Sequence, residues 1–370
     1  LWSQLKAEIE KQCLYEDCFK FGSMVISPEN LRNIVGVAGR RSLDLRKQGN
    51  NLVIRGEKLA VGDLMTFIHR LVTRPVRPTS IPKKEITSSY APARDTVSFL
   101  KFAAACPSSI PSYWSLRNRP HDHASSTQVL VVLENVDPRT KLAIEKLINQ
   151  TWTSEHVGHG RDARGLSHSY IKVIDVRRVE NPSLFKAYSA RRIMMFERKS
   201  AEQSVCTPVG RLSGSSGNVL TTERLEDFMR RELYHEVNEH YLFHGTDPES
   251  IDPVISSGLD PRVSSPNCMW GSGVYAAESS TKSDQYTGKL LNQIQPIHKD
   301  CKMLLMRVLL GDVYVCKDGH PSGKTICHCP NQKLYDSIMA DGKWLFREFV
   351  VYDKSQCYPE YVITYERTYK

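Results

Sequence analysis

No long uninterrupted apolar run occurs in the 370 residues, so no bilayer-spanning helix is predicted and no membrane partner is expected. The start, Leu1-Trp-Ser-Gln, lacks the basic-then-apolar pattern of a secretory leader. It also lacks an initiator Met, and the chain is therefore expected to be part of something longer. A glycine fingerprint of the Rossmann type is missing, as is a P-loop, so a dinucleotide would have to sit on a different fold. Cysteine is present ten times, but the residues lie far apart, without the dense spacing of a disulfide-stapled scaffold. Reduced thiols and a nuclear or cytoplasmic location are expected.

What is present fits a folded protein of more than one domain: 40% apolar residues, 25% charged residues and a formal charge of +9. The positive balance suits polyanionic partners such as nucleic acid or pyrophosphate-bearing ligands, and equally a solvated surface. Residues 1–74 are expected to form a small α/β unit. It has a helix near Leu5 to Leu14, a strand near Phe21 to Ile26, and a helix opened by Ser27-Pro28-Glu29-Asn30, which has cap, first-turn Pro and acid in order. Gly36 and Gly39 then bracket two residues before Arg40 and Arg41. A short helical stretch, the strand Asn51 to Arg55 and a helix through Leu59, Leu64, Phe67, Ile68 and Leu71 follow.

This unit resembles a KH domain shortened by one strand. A glycine-bracketed turn lets main-chain N–H groups approach a phosphate backbone while adjacent arginines neutralise it, so Gly36, Gly39, Arg40 and Arg41 are the candidate RNA contacts. A plain turn between two helices, and use of the unit as a spacer, are the alternatives. Residues 75–109 carry Pro75, Pro78, Pro82, Pro92 and Pro107 and read as an extended linker, with one or two helical turns within Val97 to Ala105.

From 110 to 370 a second domain is expected. Its predicted strands include Thr127 to Leu133, Tyr170 to Arg177, Leu304 to Leu310, Asp312 to Cys316, Arg347 to Asp353 and Glu360 to Tyr365. Its predicted helices are Pro138 to Trp152, one starting at Asn181-Pro-Ser, and one from Glu223 to Glu239. Strand runs beside separate helices point to an α+β class rather than alternating βαβ units.

Five ordered blocks carry the chemistry: Tyr170 to Pro182, Asn238-Glu-His-Tyr-Leu-Phe-His-Gly-Thr246, Gly271-Ser-Gly-Val-Tyr275 through Tyr286, Met303 to Gly311, and Glu348 through Tyr365. On these blocks the second domain resembles the catalytic domain of poly(ADP-ribose) polymerases, the diphtheria-toxin-like ADP-ribosyltransferases, and its last third resembles the tankyrase branch. The resemblance implies an ADP-ribosyltransferase fold with a split, mainly antiparallel β core and flanking helices. It also implies NAD⁺ as substrate, protein acceptors and a His-Tyr-Glu triad of His244, Tyr275 and Glu348.

Each implied role has a chemical reason. Cleaving the nicotinamide–ribose bond builds oxocarbenium character, which a carboxylate beside the ribose stabilises; that role goes to Glu348. His244 would bond an adenosine-side ribose hydroxyl. Gly245 would let main chain approach the nicotinamide amide, Ser283 would complete that clamp, and Tyr286 and Tyr275 would cover the ring's two faces. Thr246 is assigned to the adenosine ribose, Arg262 to cofactor binding, and Lys282 to the acceptor side. The donor loop, Asp260 to Trp270, matches tankyrase spacing but has Val263 and Ser265 where tankyrases place His and Tyr. Of the tankyrase zinc ligands only His298 and Cys301 remain, and Cys327-His-Cys329 adds no closed set, so no metal is expected. A retained Glu348 implies competence for chain elongation, since mono-transferring relatives usually carry an apolar residue there. An RNA-binding scaffold with a weakly active or mono-transferring domain and an NAD⁺ glycohydrolase are the other readings.

Overall fold

The computed structural model describes residues 15–20, 26–48, 51–73, 94–105, 110–111, 113–118, 131–159, 163, 165–265, 268–287, 298–317, 334–342 and 344–369. The chain divides into two compact units, Leu1–Ser112 with Ile193–Val205, and Tyr113–Arg192 with Cys206–Lys370.

In the first unit β1 (Tyr15–Lys20), α1 (Pro28–Arg40), β2 (Asp44–Gln48), β3 (Asn51–Gly56), α2 (Lys58–Thr73) and α3 (Arg94–Ala105) follow one another. The strands form an antiparallel sheet in the order β1-β3-β2. Helix α1 starts where its cap predicts: the Ser27 hydroxyl accepts from the Asn30 amide at 3.2 Å. The expected turn at Gly36 to Gly39 is absent, because Leu31, Ile34, Val35 and Ala38 form a buried stripe at helical spacing that carries the helix through both glycines. Holding a glycine mid-helix costs about 1 kcal/mol relative to Ala, which burial of that stripe outweighs.

The Gly36 and Gly39 amides therefore lie within a helix instead of a phosphate-facing loop, and Arg41 pairs with Asp63 at 2.5 Å. The helical stretch expected after Arg41 is the strand β2. The predicted helix at 5–14 lies outside the described residues, as do 21–25 of the predicted strand. The helix expected within Val97 to Ala105 is present and longer, as α3.

The second unit contains β4 (Val132–Asn135), α4 (Pro138–Gln150), β5 (Tyr170–Glu180), the part of α5 (Pro182–Ala201) up to Arg192, α6 (Leu220–Arg224), α7 (Asp227–Arg230), β6 (Glu239–Gly245) and α8 (Ile251–Ser257). It continues with β7 (Val274–Ala277), α9 (Ser280–Asp284), β8 (Cys301–Leu309), β9 (Val313–Cys316), β10 (Ser337–Ala340), β11 (Glu348–Val351) and β12 (Cys357–Thr368). Among the described residues the strands form one nine-stranded sheet in the order β4-β5-β12-β8-β6-β7-β11-β10-β9. Among the described strands only β9 and β10 run parallel.

Strand β8 lies inside the sheet, between β12 and β6, and its side chains are apolar towards both faces. Leu304, Met306 and Val308 enter a core with Ile251, Ile255 and Phe349, while Met303 and Leu305 enter another with Ile144, Leu147 and Ile148 of α4. Of its two charges, Lys302 and Arg307, Arg307 is the buried one, 3% exposed and satisfied by Glu360 and Glu239. Helix α4 is opened by Asp137, whose carboxylate accepts from the Arg139 and Thr140 amides, an arrangement worth about 1 kcal/mol.

The helix expected from Glu223 to Glu239 is broken into α6, α7 and a 3₁₀ turn at His235–Val237. Leu225 and Glu226 are extended there, Asn238 is left-handed at φ 51°, and Glu239 already opens β6. Tertiary demand overrides the local helical pattern. The fully buried Glu239 carboxylate must meet the Tyr188 hydroxyl at 2.6 Å and the Tyr234 amide at 2.7 Å, and α7 must turn Met229 into the core.

Candidate active site

The sheet is pulled open at one place. Strands β6 and β7 pair only at Phe243↔Ala277 and then part, whereas β7 and β11 pair along four residues from Glu348↔Ala277 to Val351↔Val274. His244, Tyr275 and Glu348, the residues expected to form a triad, thus stand on three successive strands around the opening. Alternation puts Tyr275, Val350 and Glu348 on one sheet face, and Val274, Phe349 and Val351 on the other, where they enter the core.

His244 lies where the strands separate, and its Nδ1 donates to the Tyr275 carbonyl at 2.7 Å. A carbonyl only accepts, so Nδ1 carries the proton and Nε2 bears the lone pair. Burial holds the imidazole below its ordinary value, more than the Tyr275 bond raises it, so the neutral form dominates at pH 7.

Tyr275 is fixed at its tip. Its hydroxyl donates to the Gly271 carbonyl at 2.9 Å and accepts from the Trp270 amide at 2.9 Å, and burial pushes the phenol above its ordinary value. The Gly271-to-Tyr275 motif closes this loop because Gly271 adopts φ 81°. Gly273 is needed because a Cβ there would meet Val350 Cγ1 at 2.4 Å.

Gly245 approaches the turn carrying Ser283 so closely that a Cβ would lie 1.8 Å from the Ser283 carbonyl oxygen. Helix α9, which carries Ser283, is short and anchored from outside. Ser279 caps it, Ser280 Oγ donates to the Ile148 carbonyl at 2.8 Å, and the Thr153 amide donates to Thr281 Oγ1 at 2.7 Å. Lys282 leaves the same helix towards β11. Its Nζ lies 3.4 Å from Glu348 Oε1, 3.0 Å from the Tyr286 hydroxyl and 4.8 Å from the centre of the Tyr286 ring. The structure therefore brings together His244, Gly245, Tyr275, Lys282, Ser283, Tyr286 and Glu348.

Thr246 follows directly on β6 and is half-buried. Arg262 stands apart: its side chain is 86% exposed and makes a two-pronged contact with Asp260 of its own turn. Arg347, next to Glu348 in sequence, turns the other way. It grips Glu278 through Nε at 2.7 Å and Nη2 at 2.6 Å, and donates to the Gly217 and Asn218 carbonyls. Residues 318–333, with Cys327 to Cys329 among them, lie outside the described residues. Among the described residues no three metal-ligating side chains gather; Cys301 is buried in β8, and His298 Nδ1 pairs with the Tyr369 hydroxyl at 2.8 Å.

Sequence reasoning passed over a buried layer beneath α9. Asp284 accepts from Arg367 Nε at 2.9 Å and from the Tyr365 hydroxyl at 2.6 Å, with His168 Nε2 at 3.1 Å. The available signal was an acid placed between Ser283 and Tyr286, matched by an arginine near the end of the last strand.

The profile of the Poly(ADP-ribose) polymerase catalytic domain (PARP) matches residues 159–367, which contain every residue of this cluster. Protein mono-ADP-ribosyltransferase PARP11 of Mus musculus is 31% identical over 147 residues, covering 35% of this chain and 43% of its own length. Its Homo sapiens counterpart is 31% identical over 147 residues, 35% of this chain and 42% of its own length. Protein mono-ADP-ribosyltransferase PARP12 of Mus musculus is 32% identical over 145 residues, 36% of this chain and 18% of its own length. The chain spans less than half the length of these curated relatives. With the profile covering more than half of its residues around a split antiparallel sheet, the chain belongs to the poly(ADP-ribose) polymerase catalytic-domain family.

Proposed function

We propose that this chain transfers ADP-ribose from NAD⁺ to protein side chains and releases nicotinamide. The observation that carries the reading is the cluster around the parted strands, where the neutral His244, the clamped Tyr275 and the Lys282-paired Glu348 meet the close approach of Gly245 to Ser283. In this reading Nε2 of His244 accepts from a ribose hydroxyl, the Gly245 main chain and Ser283 hold the amide, and Tyr286 and Tyr275 enclose the ring.

The glycosidic C–N bond breaks with its electron pair passing to the nicotinamide nitrogen, which neutralises the pyridinium. Positive charge grows on the ribose beside Glu348, which stabilises it. An acceptor nucleophile then forms the new bond to the same carbon and gives up its proton, with Glu348 orienting it as general base. Water in the acceptor's place would make the chain a glycohydrolase.

How far transfer proceeds is a finer question. Glu348 supports elongation, since a carboxylate can also orient a ribose hydroxyl of a growing chain. The single-transfer reading is supported by the relatives, whose names describe mono-ADP-ribosyltransferases. Incubation with labelled NAD⁺ and a sizing gel tests all of this. A discrete labelled band is the result for single transfer, and a ladder is the result for elongation. Label appearing only as free ADP-ribose means hydrolysis, and label left wholly in NAD⁺ rejects the activity.

A further inference from the structure

We infer that the buried pair Asp284–Arg367 is a positioning device for the nicotinamide end of the site, setting where Ser283 and Lys282 stand; this rests on the NAD⁺ reading above. Helix α9 has five residues, too few to hold its own conformation. Its C-terminal end is instead gripped by the last residues of strand β12, far along the chain from the helix itself. Arg367 Nε donates to Asp284 Oδ1 at 2.9 Å, and its Nη2 donates to the carbonyls of Asp284 at 2.6 Å and Thr287 at 2.9 Å and to Thr287 Oγ1 at 3.1 Å. The Tyr365 hydroxyl adds a bond to Asp284 Oδ1 at 2.6 Å and pairs with Thr287 Oγ1. His168 Nε2 faces the other carboxylate oxygen at 3.1 Å.

All of these side chains lie away from water; Arg367 and His168 are 0% exposed and Asp284 is 1% exposed. Burying an ion pair is a poor way to gain stability, because desolvation offsets most of the attraction and an apolar pair of similar volume does as well. What the pair adds is direction. A guanidinium bonded to one carboxylate and two main-chain carbonyls admits one placement of the turn, where apolar packing would admit several. That placement matters because the Ser283 carbonyl already meets Gly245 at the closest approach in the site, and Lys282, two residues before Asp284, reaches Glu348. A shift of the turn would move the amide clamp and the cation together, while leaving His244 on β6 untouched.

The test uses the whole chain and two probes, nicotinamide for one end of the site and ADP-ribose for the other, measured by calorimetry beside the melting temperature. In the double variant Asp284→Leu with Arg367→Met, both charges go and no lone buried charge remains. The expected result is a lowered melting temperature, because the Tyr365 hydroxyl and the Asp284 and Thr287 carbonyls lose their partners, with nicotinamide affinity lowered about tenfold by misplacement of the clamp and ADP-ribose affinity unchanged. Arg367→Lys, which keeps the charge but not the fork, is expected to fall between parent and double variant. Unchanged nicotinamide affinity in the double variant overturns the inference, as does an equal loss for both probes. A parent that binds neither probe overturns the NAD⁺ reading and this inference with it. Should the double variant not fold, Tyr365→Phe takes its place, with nicotinamide affinity expected about threefold lower and ADP-ribose unaffected; equal affinities for nicotinamide there overturn the inference.

Discussion

The Lys282 ammonium lies 3.4 Å from the Glu348 carboxylate, with the two side chains 12% and 13% exposed. They come from different elements, a short helix and a strand at the mouth of the split sheet. Glu348 is therefore held by a cation that its own strand does not supply, since the neighbouring Arg347 is engaged with Glu278.

Replacing that carboxylate tests its role. Glu348→Gln keeps the shape and removes the charge, so transfer and any elongation are expected to fall about 10²- to 10³-fold while NAD⁺ binding stays close to the parent. Turnover of labelled NAD⁺ beside a binding titration checks this, and unchanged product length and rate in the variant contradict the assignment.

Gly245→Ala puts a methyl group 1.8 Å from the Ser283 carbonyl oxygen. Main chain must move, and main chain from a neighbouring turn yields less readily than a side-chain tip. The expected cost is about 1–3 kcal/mol of stability, together with a NAD⁺ affinity lowered at least about tenfold. Thermal melting and titration of the same sample give both quantities, and a variant matching its parent in both removes the close approach from the site.

Acidification acts through His244. Its folded-state value lies below the ordinary 6.5, so the unfolded chain takes up the proton first and the neutral form contributes stability above pH 6.5. That contribution is lost as pH falls from 6.5 through the lowered folded value. Over the same window Nε2 gains a proton and stops accepting, so NAD⁺ affinity is expected to hold near neutrality and drop on the acid side. The drop should be absent in His244→Gln; a parent whose affinity stays flat down to the pH at which it unfolds speaks against Nε2 as the acceptor.

Arg347→Met leaves Glu278 with 12% exposure and no guanidinium, and frees the Gly217 and Asn218 carbonyls. A loss of about 3 kcal/mol is expected in denaturant unfolding. Adding Glu278→Gln should restore part of it, because the stranded charge then disappears. A loss that the second substitution does not change points away from the ion pair.

Much of the catalytic unit was legible because its signals are local. Pro182 after Asn181 marks the start of α5, the apolar run through Leu304 and Leu310 marks a central strand, and Gly245, Gly271 and Gly273 mark places where backbone passes close or turns. The errors came where local pattern and burial disagree. Gly36 and Gly39 suggest a turn, yet four buried apolar residues at helical spacing make a helix. The stretch from Glu223 to Glu239 looks helical, yet the buried partners of Glu239 require a strand to begin there.

Sequence alone determined the kinds of groups the site can use, an imidazole, two phenols, a hydroxyl, an ammonium and a carboxylate, and the strands and turns that carry them, since those depend on residue type and short-range spacing. Tertiary structure decided which of them meet. That β6 parts from β7 beside His244, that Lys282 and not Arg347 faces Glu348, and that Asp284 lies buried against Arg367 are relations between residues far apart in the chain. They follow from sheet order and core packing, which no local spacing contains.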